Sequence, residues 1–477
     1  MDMLTTFEAL GATSAAGLAY MTAQNYGLGV RHWMLKDADD RAAHREAARI
    51  RRQWRRLARH VGLSLRDDIP TFLEDLFRPA DAAPKVKIKT PALLKVKTSE
   101  YGVSVHFRPI PGVGLEEFER KLPHLRNNWG MGRAKVDQPH PRVIRVRAVR
   151  TDPLLQRIML DDPIVLPSHL AFCPIGVSEF GETVTAQIES STGIGVYGAP
   201  RWGKTSLILG MMTAMAKHEE FAFVLADGKT STGWEGDYYD MGHRCLAVIG
   251  DSVEDYNKLI KAVEAERIDR QTRIRHQLKV PNIWDVGPSP EWPILVVTID
   301  EAHSYFEQVS PATTKEIKER NAMAAENAYI TANTVKKCGS VGIFFIIGTQ
   351  KPTAEAIPTS IRANLTQRLC LGVQEESVAV AALGEGIKDF PDAMPTQFMN
   401  QRYKGCATTT SEHEPGFTRF RTPYCSPRLA ARATKETQHL VTRQLKQFML
   451  PVGQDHLQLA PANPAALTSG EDAEVVE

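Results

Sequence analysis

The stretch Gly195-Val196-Tyr197-Gly198-Ala199-Pro200-Arg201-Trp202-Gly203-Lys204-Thr205-Ser206-Leu207-Ile208-Leu209 decides the fold. A strand-like run enters a G-x-x-x-x-G-K-S/T loop, and an apolar helix-like run begins at Lys204, which is the context that a phosphate-binding loop requires. Two glycines let the backbone curl until its amide N–H groups point inward at phosphate oxygens, and the helix N-terminus adds positive potential. Gly198, Ala199, Pro200, Arg201, Trp202, Gly203, Lys204, Thr205 and Ser206 are therefore the expected ATP-binding set. Within it, Lys204 neutralises the β- and γ-phosphates and the Thr205 hydroxyl ligates Mg²⁺.

Working outward, Ile294-Leu295-Val296-Val297-Thr298-Ile299 is a continuous apolar run of buried-strand character that delivers Asp300-Glu301 at its C-terminal end, where ligands of α/β sheets bind. Asp300 is expected to hold the magnesium shell and Glu301 to polarise the attacking water. A further apolar run, Ile343 to Ile347, ends in Gly348-Thr349-Gln350-Lys351-Pro352. If the sheet order brings it beside the phosphates, Gln350 touches the γ-phosphate or its water. Strand-like runs at 194–197, 221–226, 244–249, 294–299, 343–348 and 368–373, separated by helical stretches, predict an α/β domain with a mostly parallel sheet over 165–425.

The first part of the chain differs. Residues 31–150 carry 27 Lys+Arg against 14 Asp+Glu, an excess of +13, although the whole chain is only +2. Such asymmetry points to an anionic partner. Residues 38–60 predict a helix bearing Arg41, Arg45, Arg49, Arg51, Arg52, Arg55, Arg56 and Arg59 with only Glu46 interleaved among them, and no wide apolar stripe. It is assigned to an N-terminal segment, 1–62. Alternating runs at 85–97, 102–108 and 142–149, with a helix at 115–127, predict a small α+β domain over 85–152. Residues 3–24 are too diluted with polar residues for a membrane span, and 451–477 read as a disordered acidic tail. Six scattered cysteines without a C-x-x-C pair fit a reducing cytoplasm. Peripheral attachment at the inner face of the cell membrane is left open.

The run Gly348-Thr349-Gln350-Lys351-Pro352, then Ile361-Arg362-Ala363-Asn364 and Arg368-Leu369, resembles the T-Q-R/K-P … I-K/R-A-N-x-x-x-R stretch of the FtsK/SpoIIIE DNA translocases. Asp227-Gly228-Lys229, Asp152-Pro153 and Pro174-Ile175-Gly176 are similar to other landmarks of that family, and the likeness covers about residues 85–410. Arg201-Trp202 replaces the family's usual Gly-Ser and is more like the motors of actinobacterial conjugative elements. The resemblance implies a RecA-like motor that acts as a homo-hexameric ring on double-stranded DNA, with ATP bound between subunits. Arg362 or Arg368 then supplies the arginine finger to a neighbour's nucleotide. Conjugative transfer, phage functions and chromosome segregation remain open as roles, as does a membrane or element-encoded anchoring partner. The alternatives are a protein-secretion ATPase of the same superfamily and a phage packaging motor.

Overall fold

A computed structural model of the chain describes residues 38–67, 86–350, 352–354, 356–410 and 416–441. The apolar run at 3–24, Lys351 and the tail at 451–477 lie outside the described residues. The chain forms two compact units, one of residues 1–153 with 179–182 and one of residues 154–178 with 183–477. Among the described residues, no helix is long and apolar enough to cross a membrane.

In the first unit, helix α1 (Ala38–Val61) precedes a short antiparallel pair, β1 (Leu65–Asp67) with β2 (Lys87–Lys89). A four-stranded antiparallel sheet follows, in the order β3 (Ala92–Thr98), β4 (Gly102–Arg108), β6 (Val143–Val149), β5 (Arg133–His140), with helix α2 (Leu115–Trp129) between β4 and β5. Helix α2 starts where Glu117 Oε2 accepts the Gly114 N–H at 2.8 Å and ends at Gly130 in the left-handed region, φ 70°. Valines and Phe107 of the sheet meet Phe118 and Leu125 of α2 in the core.

Two expectations change here. The basic helix does have an apolar stripe: Ala47, Ile50, Trp54, Leu57 and Ala58 recur every three or four residues and are all buried. Its small alanines hid the pattern. Trp54 lies 4.2 Å from Phe107 and 6.1 Å from Phe118 between ring centroids, and its indole N–H donates to Pro91 O at 2.7 Å. The helix therefore shares one core with the α+β segment, from which the sequence reading had separated it. Strand β5 was not foreseen, because Arg133–His140 holds only Ala134 and Val136 as apolar strand formers and is interrupted by Pro139; Asp137 pairs with Arg145 and Arg147 of β6 across the ladder.

The second unit is built on a ten-stranded sheet, ordered β11-β10-β12-β13-β9-β14-β15-β16-β7-β8. The six strands from β11 to β14 are parallel: β11 (Ala247–Ile249), β10 (Phe221–Asp227), β12 (Ile294–Asp300), β13 (Ile343–Thr349), β9 (Gly193–Tyr197) and β14 (Gln367–Leu371). They are the six expected strands. The run at 244–249 pairs only from Ala247, because the N–H groups of Arg244 and Cys245 close the turn after the short helix Tyr239–Gly242, donating to Met241 O and Gly242 O at 2.9 Å each. The other four, β15 (Cys406–Thr410), β16 (Phe417–Arg421), β7 (Phe172–Ser178) and β8 (Thr183–Gln187), extend the sheet in antiparallel pairs. They were missed because β15 and β16 are short and polar and β7 contains Pro174, which is tolerated there at a bulge.

Register aligns the C-terminal ends. Asp227 pairs with Asp300, and Thr349 pairs with Tyr197, so the loops after β10, β12, β13 and β9 emerge on one edge. Helix α3 (Lys204–Ala216), buried along nearly its whole length, returns from that edge under the sheet.

Candidate functional site

The loop after β9 is curled by two residues in the left-handed region, Arg201 at φ 66° and Gly203 at φ 104°. Glycine adopts this conformation freely; an arginine pays for it, so the surrounding structure must hold it. Two contacts do so. The Ala199 N–H donates to Gly372 O at 3.0 Å, and the buried Trp202 ring packs so closely on Gly372 that a side chain there would meet it at 3.2 Å. Trp202 thus anchors the loop from beneath while Arg201 stays exposed.

Lys204, the first residue of α3, is 6% exposed, and its ammonium donates to Asp300 Oδ1 at 2.6 Å and to Glu301 Oε1. Burial opposes the charge, but the two carboxylates outweigh it and hold the ammonium above its usual range. Glu301 sits at φ 48°, again in the left-handed region, so the strand ends in a turn that brings its carboxylate beside that of Asp300. Gln350 donates from Nε2 to Glu301 Oε1 at 2.6 Å, and His303 Nδ1 lies 3.4 Å from Glu301 Oε2. Lys204, Asp300, Glu301 and Gln350, from three separate loops, therefore meet at one point.

A second layer supports it. The buried Tyr238 hydroxyl donates to Asp300 Oδ2 at 2.9 Å, leaving Oδ1 for Lys204. Asp227, buried at the end of β10, is pushed up to about 6 by burial and then by the facing charge of Asp300. Lys229 pairs with Asp237 at 3.4 Å. Sequence reading missed Tyr238 and His303; the His three positions beyond Asp300 was the available signal for the second.

Lys204, Glu301, Gln350, Lys229 and Asp237 open onto a cavity of about 770 Å³, with Asp300 and Tyr238 behind them. Of the expected phosphate-loop set, residues 199–201 and 203–206 line it, while Gly198 and Trp202 lie beneath the loop. The Thr205 side chain is half-buried at the wall. Ser206 is already engaged: its hydroxyl accepts the Cys425 N–H at 2.9 Å and reaches Cys425 O at 3.3 Å, tying α3 to the opposite wall. That wall, unforeseen, comes from residues 157–159, 421–425 and 427. Tyr424 N–H donates to Ile158 O at 2.8 Å and Leu160 N–H to Tyr424 O at 3.2 Å, which presents the exposed side chains of Met159 and Tyr424.

Arg362 and Arg368 do not reach this cavity. Arg362 donates to Ile357 O at 3.1 Å, to Ala381 O at 2.5 Å and to Thr359 Oγ1 at 3.3 Å. Arg368, half-buried on β14, makes no ion pair among the described residues.

The donor set fits a magnesium-bound nucleoside triphosphate: amide N–H groups and an ammonium for phosphate, and a hydroxyl and a carboxylate as hard oxygen ligands. No family model matches the chain. Over 226 residues, 44% of its length, it is 24% identical to the DNA translocase SpoIIIE of Bacillus subtilis, and it spans 27% of that protein. Among solved structures it is similar to the pCW3 conjugation coupling protein TcpA, with TM-score 0.48 and 15% identity over 73% of this chain and 94% of that one. It is also similar to the cytoplasmic domain of the type VII secretion ATPase EccC of Thermomonospora curvata, with TM-score 0.41 and 19% identity over 62% of this chain and 33% of that one. The phosphate loop and the Asp300-Glu301 strand end stand at the edge of a largely parallel α/β sheet, the arrangement of a P-loop nucleotide site, and over less than half of its length the chain is similar in sequence to the DNA translocase SpoIIIE.

Proposed function

We propose that the chain hydrolyses ATP to move double-stranded DNA, as one subunit of a hexameric ring. The observation that carries hydrolysis is the meeting of Lys204, Asp300, Glu301 and Gln350 around one point, with Lys204, Glu301 and Gln350 at the cavity wall. A nucleotide-binding protein that only senses ATP needs the lysine; it has no use for a second carboxylate with an amide beside it.

The roles follow from chemistry. When bound, the magnesium–ATP complex supplies the phosphoryl group and a cation that spreads its charge. Loop amides and Lys204 clamp the phosphates, Thr205 and Asp300 provide oxygen ligands to the metal, and Tyr238 fixes the Asp300 carboxylate. Glu301 accepts a proton from water, and Gln350, bonded to Glu301, orients that water. Tyr424 and Met159 offer apolar surface for the base. Arg368 is the cation presented to a neighbouring subunit. The name of the curated relative and the basic first unit both support duplex DNA as the substrate. The duplex belongs to a chromosome, a conjugative element or a phage.

Steady-state ATP hydrolysis by the purified chain, with and without duplex DNA, tests the reading. Turnover stimulated several-fold by duplex is expected. Magnesium-dependent turnover indifferent to duplex would leave a motor for another cargo, and no turnover under any condition would end the proposal.

A further inference from the structure

Helix α1 is divided lengthwise. Its apolar stripe is spent in the core of its own unit against Phe107 and Phe118, whereas Arg45, Arg51, Arg55, Arg56 and Arg59 are all exposed. None of these five makes a hydrogen bond or ion pair among the described residues. Glu46, which could have neutralised the row, is bound by Arg49 and Arg150. At 3.6 residues per turn, positions 45, 52, 56 and 59 fall along one line and 51, 55 and 59 along a line beside it. The result is a stiff ladder of guanidinium groups on a helix of 24 residues, about 36 Å long at about 1.5 Å per residue.

We infer that this face of α1 is a docking surface for the phosphate backbone of double-stranded DNA, separate from the nucleotide site. It rests on the reading of duplex DNA as the substrate. Guanidinium groups match phosphate oxygens in a two-pronged geometry that lysine cannot reproduce. A ladder of this length lies along a duplex and touches several phosphates without reading a base. An anionic membrane offers phosphates too, but helices that settle on bilayers sink an apolar face into them. On α1 that face is occupied by Trp54, Ile50 and Leu57 packing inward.

The test uses the full chain with Arg51, Arg55, Arg56 and Arg59 changed to Gln, none of which touches the core. A matched control removes four charges elsewhere: Lys315, Lys318, Lys336 and Lys337 to Gln. Binding to a fluorescent duplex of mixed sequence is followed by anisotropy across a salt series. Each phosphate contact contributes about 0.9 to the log–log salt slope, so the arginine variant should flatten it by about 3 to 4 and bind some hundredfold more weakly at low salt. The control should keep the wild-type slope, and the same four positions changed to Lys should recover most of it. Equal losses in both Gln variants, or a wild-type slope in the arginine variant, overturn the surface while leaving the motor reading intact. Wild-type protein that binds no duplex at all overturns the substrate reading itself. If the arginine variant keeps its duplex affinity but no longer sediments with phosphatidylglycerol vesicles, the face is a membrane tether and the inference is wrong.

Discussion

The ammonium of Lys204 stands 2.6 Å from Asp300 Oδ1 although 96 positions separate the two residues, and Glu301 takes the same ammonium on its other side. Phosphate oxygens therefore compete with two carboxylates for this lysine, and whatever draws Lys204 away frees Asp300 for metal and Glu301 for water. Lys204→Ala should lose both nucleotide binding and turnover. Glu301→Gln keeps the shape and the phosphate clamp, so it should bind ATP while turnover falls on the order of a thousandfold. Fluorescent-nucleotide titration beside a phosphate-release assay reads both quantities. Wild-type turnover in the Glu301 variant would remove that residue from the chemistry.

Asp227 makes the stability of the ligand-free protein depend on pH. Its folded value of about 6 lies above the ordinary 3.8, because burial and Asp300 disfavour its charge. The native state therefore keeps a proton that the unfolded chain has released, and stability falls as pH rises from about 4 to about 6, then levels off. Asp227→Asn should cancel this fall, gaining up to roughly 3 kcal/mol over wild type by pH 7. Urea unfolding with a chelator and without nucleotide, at several pH values, gives the difference. A difference that stays constant across the window would show that the carboxylate is ionised throughout.

The parallel half of the sheet was legible because each of its strands is a continuous apolar run, and the phosphate loop because its glycines and lysine have fixed spacing. What those signals cannot show is partnership across the chain. Tyr238 lies 62 residues from Asp300, and nothing local marks it as the holder of that carboxylate. The wall at Met159 and Tyr424 joins segments on either side of the whole parallel sheet and carries no motif. On α1 the failure was of another kind, since alanines supply a packing stripe without looking apolar enough to count.

Tyr424 and Met159 lie at the cavity wall with exposed side chains, held there by paired backbones. An aromatic face beside a bound base contributes about 1–3 kcal/mol through stacking. Tyr424→Ala should thus weaken ATP about tenfold or more, and leave the affinity for inorganic triphosphate unchanged, since that ligand has no base. Calorimetric titration of both ligands decides it. Equal weakening of the two would mean that Tyr424 only props the wall against Ser206.

Arg362 and Arg368, six positions apart in the sequence, have different surroundings and should behave differently. Arg362 holds the carbonyls of Ile357 and Ala381, and burial lowers its affinity for a proton below the usual guanidinium range. Its loss leaves two part-buried carbonyl groups unpaired, at up to about 1–3 kcal/mol each. Arg362→Ala should therefore lower the melting temperature by several degrees in every assembly state. Arg368 has no such anchor, so Arg368→Ala should melt like wild type and bind ATP normally, yet hydrolyse it about a thousandfold more slowly if its cation completes a neighbour's site. Mixing then separates a shared site from a damaged one. A ring of Arg368→Ala and Lys204→Ala subunits contains some interfaces where an intact Lys204 site faces an intact Arg368, and only those can turn over. Activity should appear on mixing two inactive proteins and peak near equal amounts. Fluorescence transfer between labelled subunits shows whether the rings have mixed; mixed rings that stay inactive at every ratio would place the finger elsewhere, and an Arg368 variant that melts early would reduce it to a structural residue like Arg362.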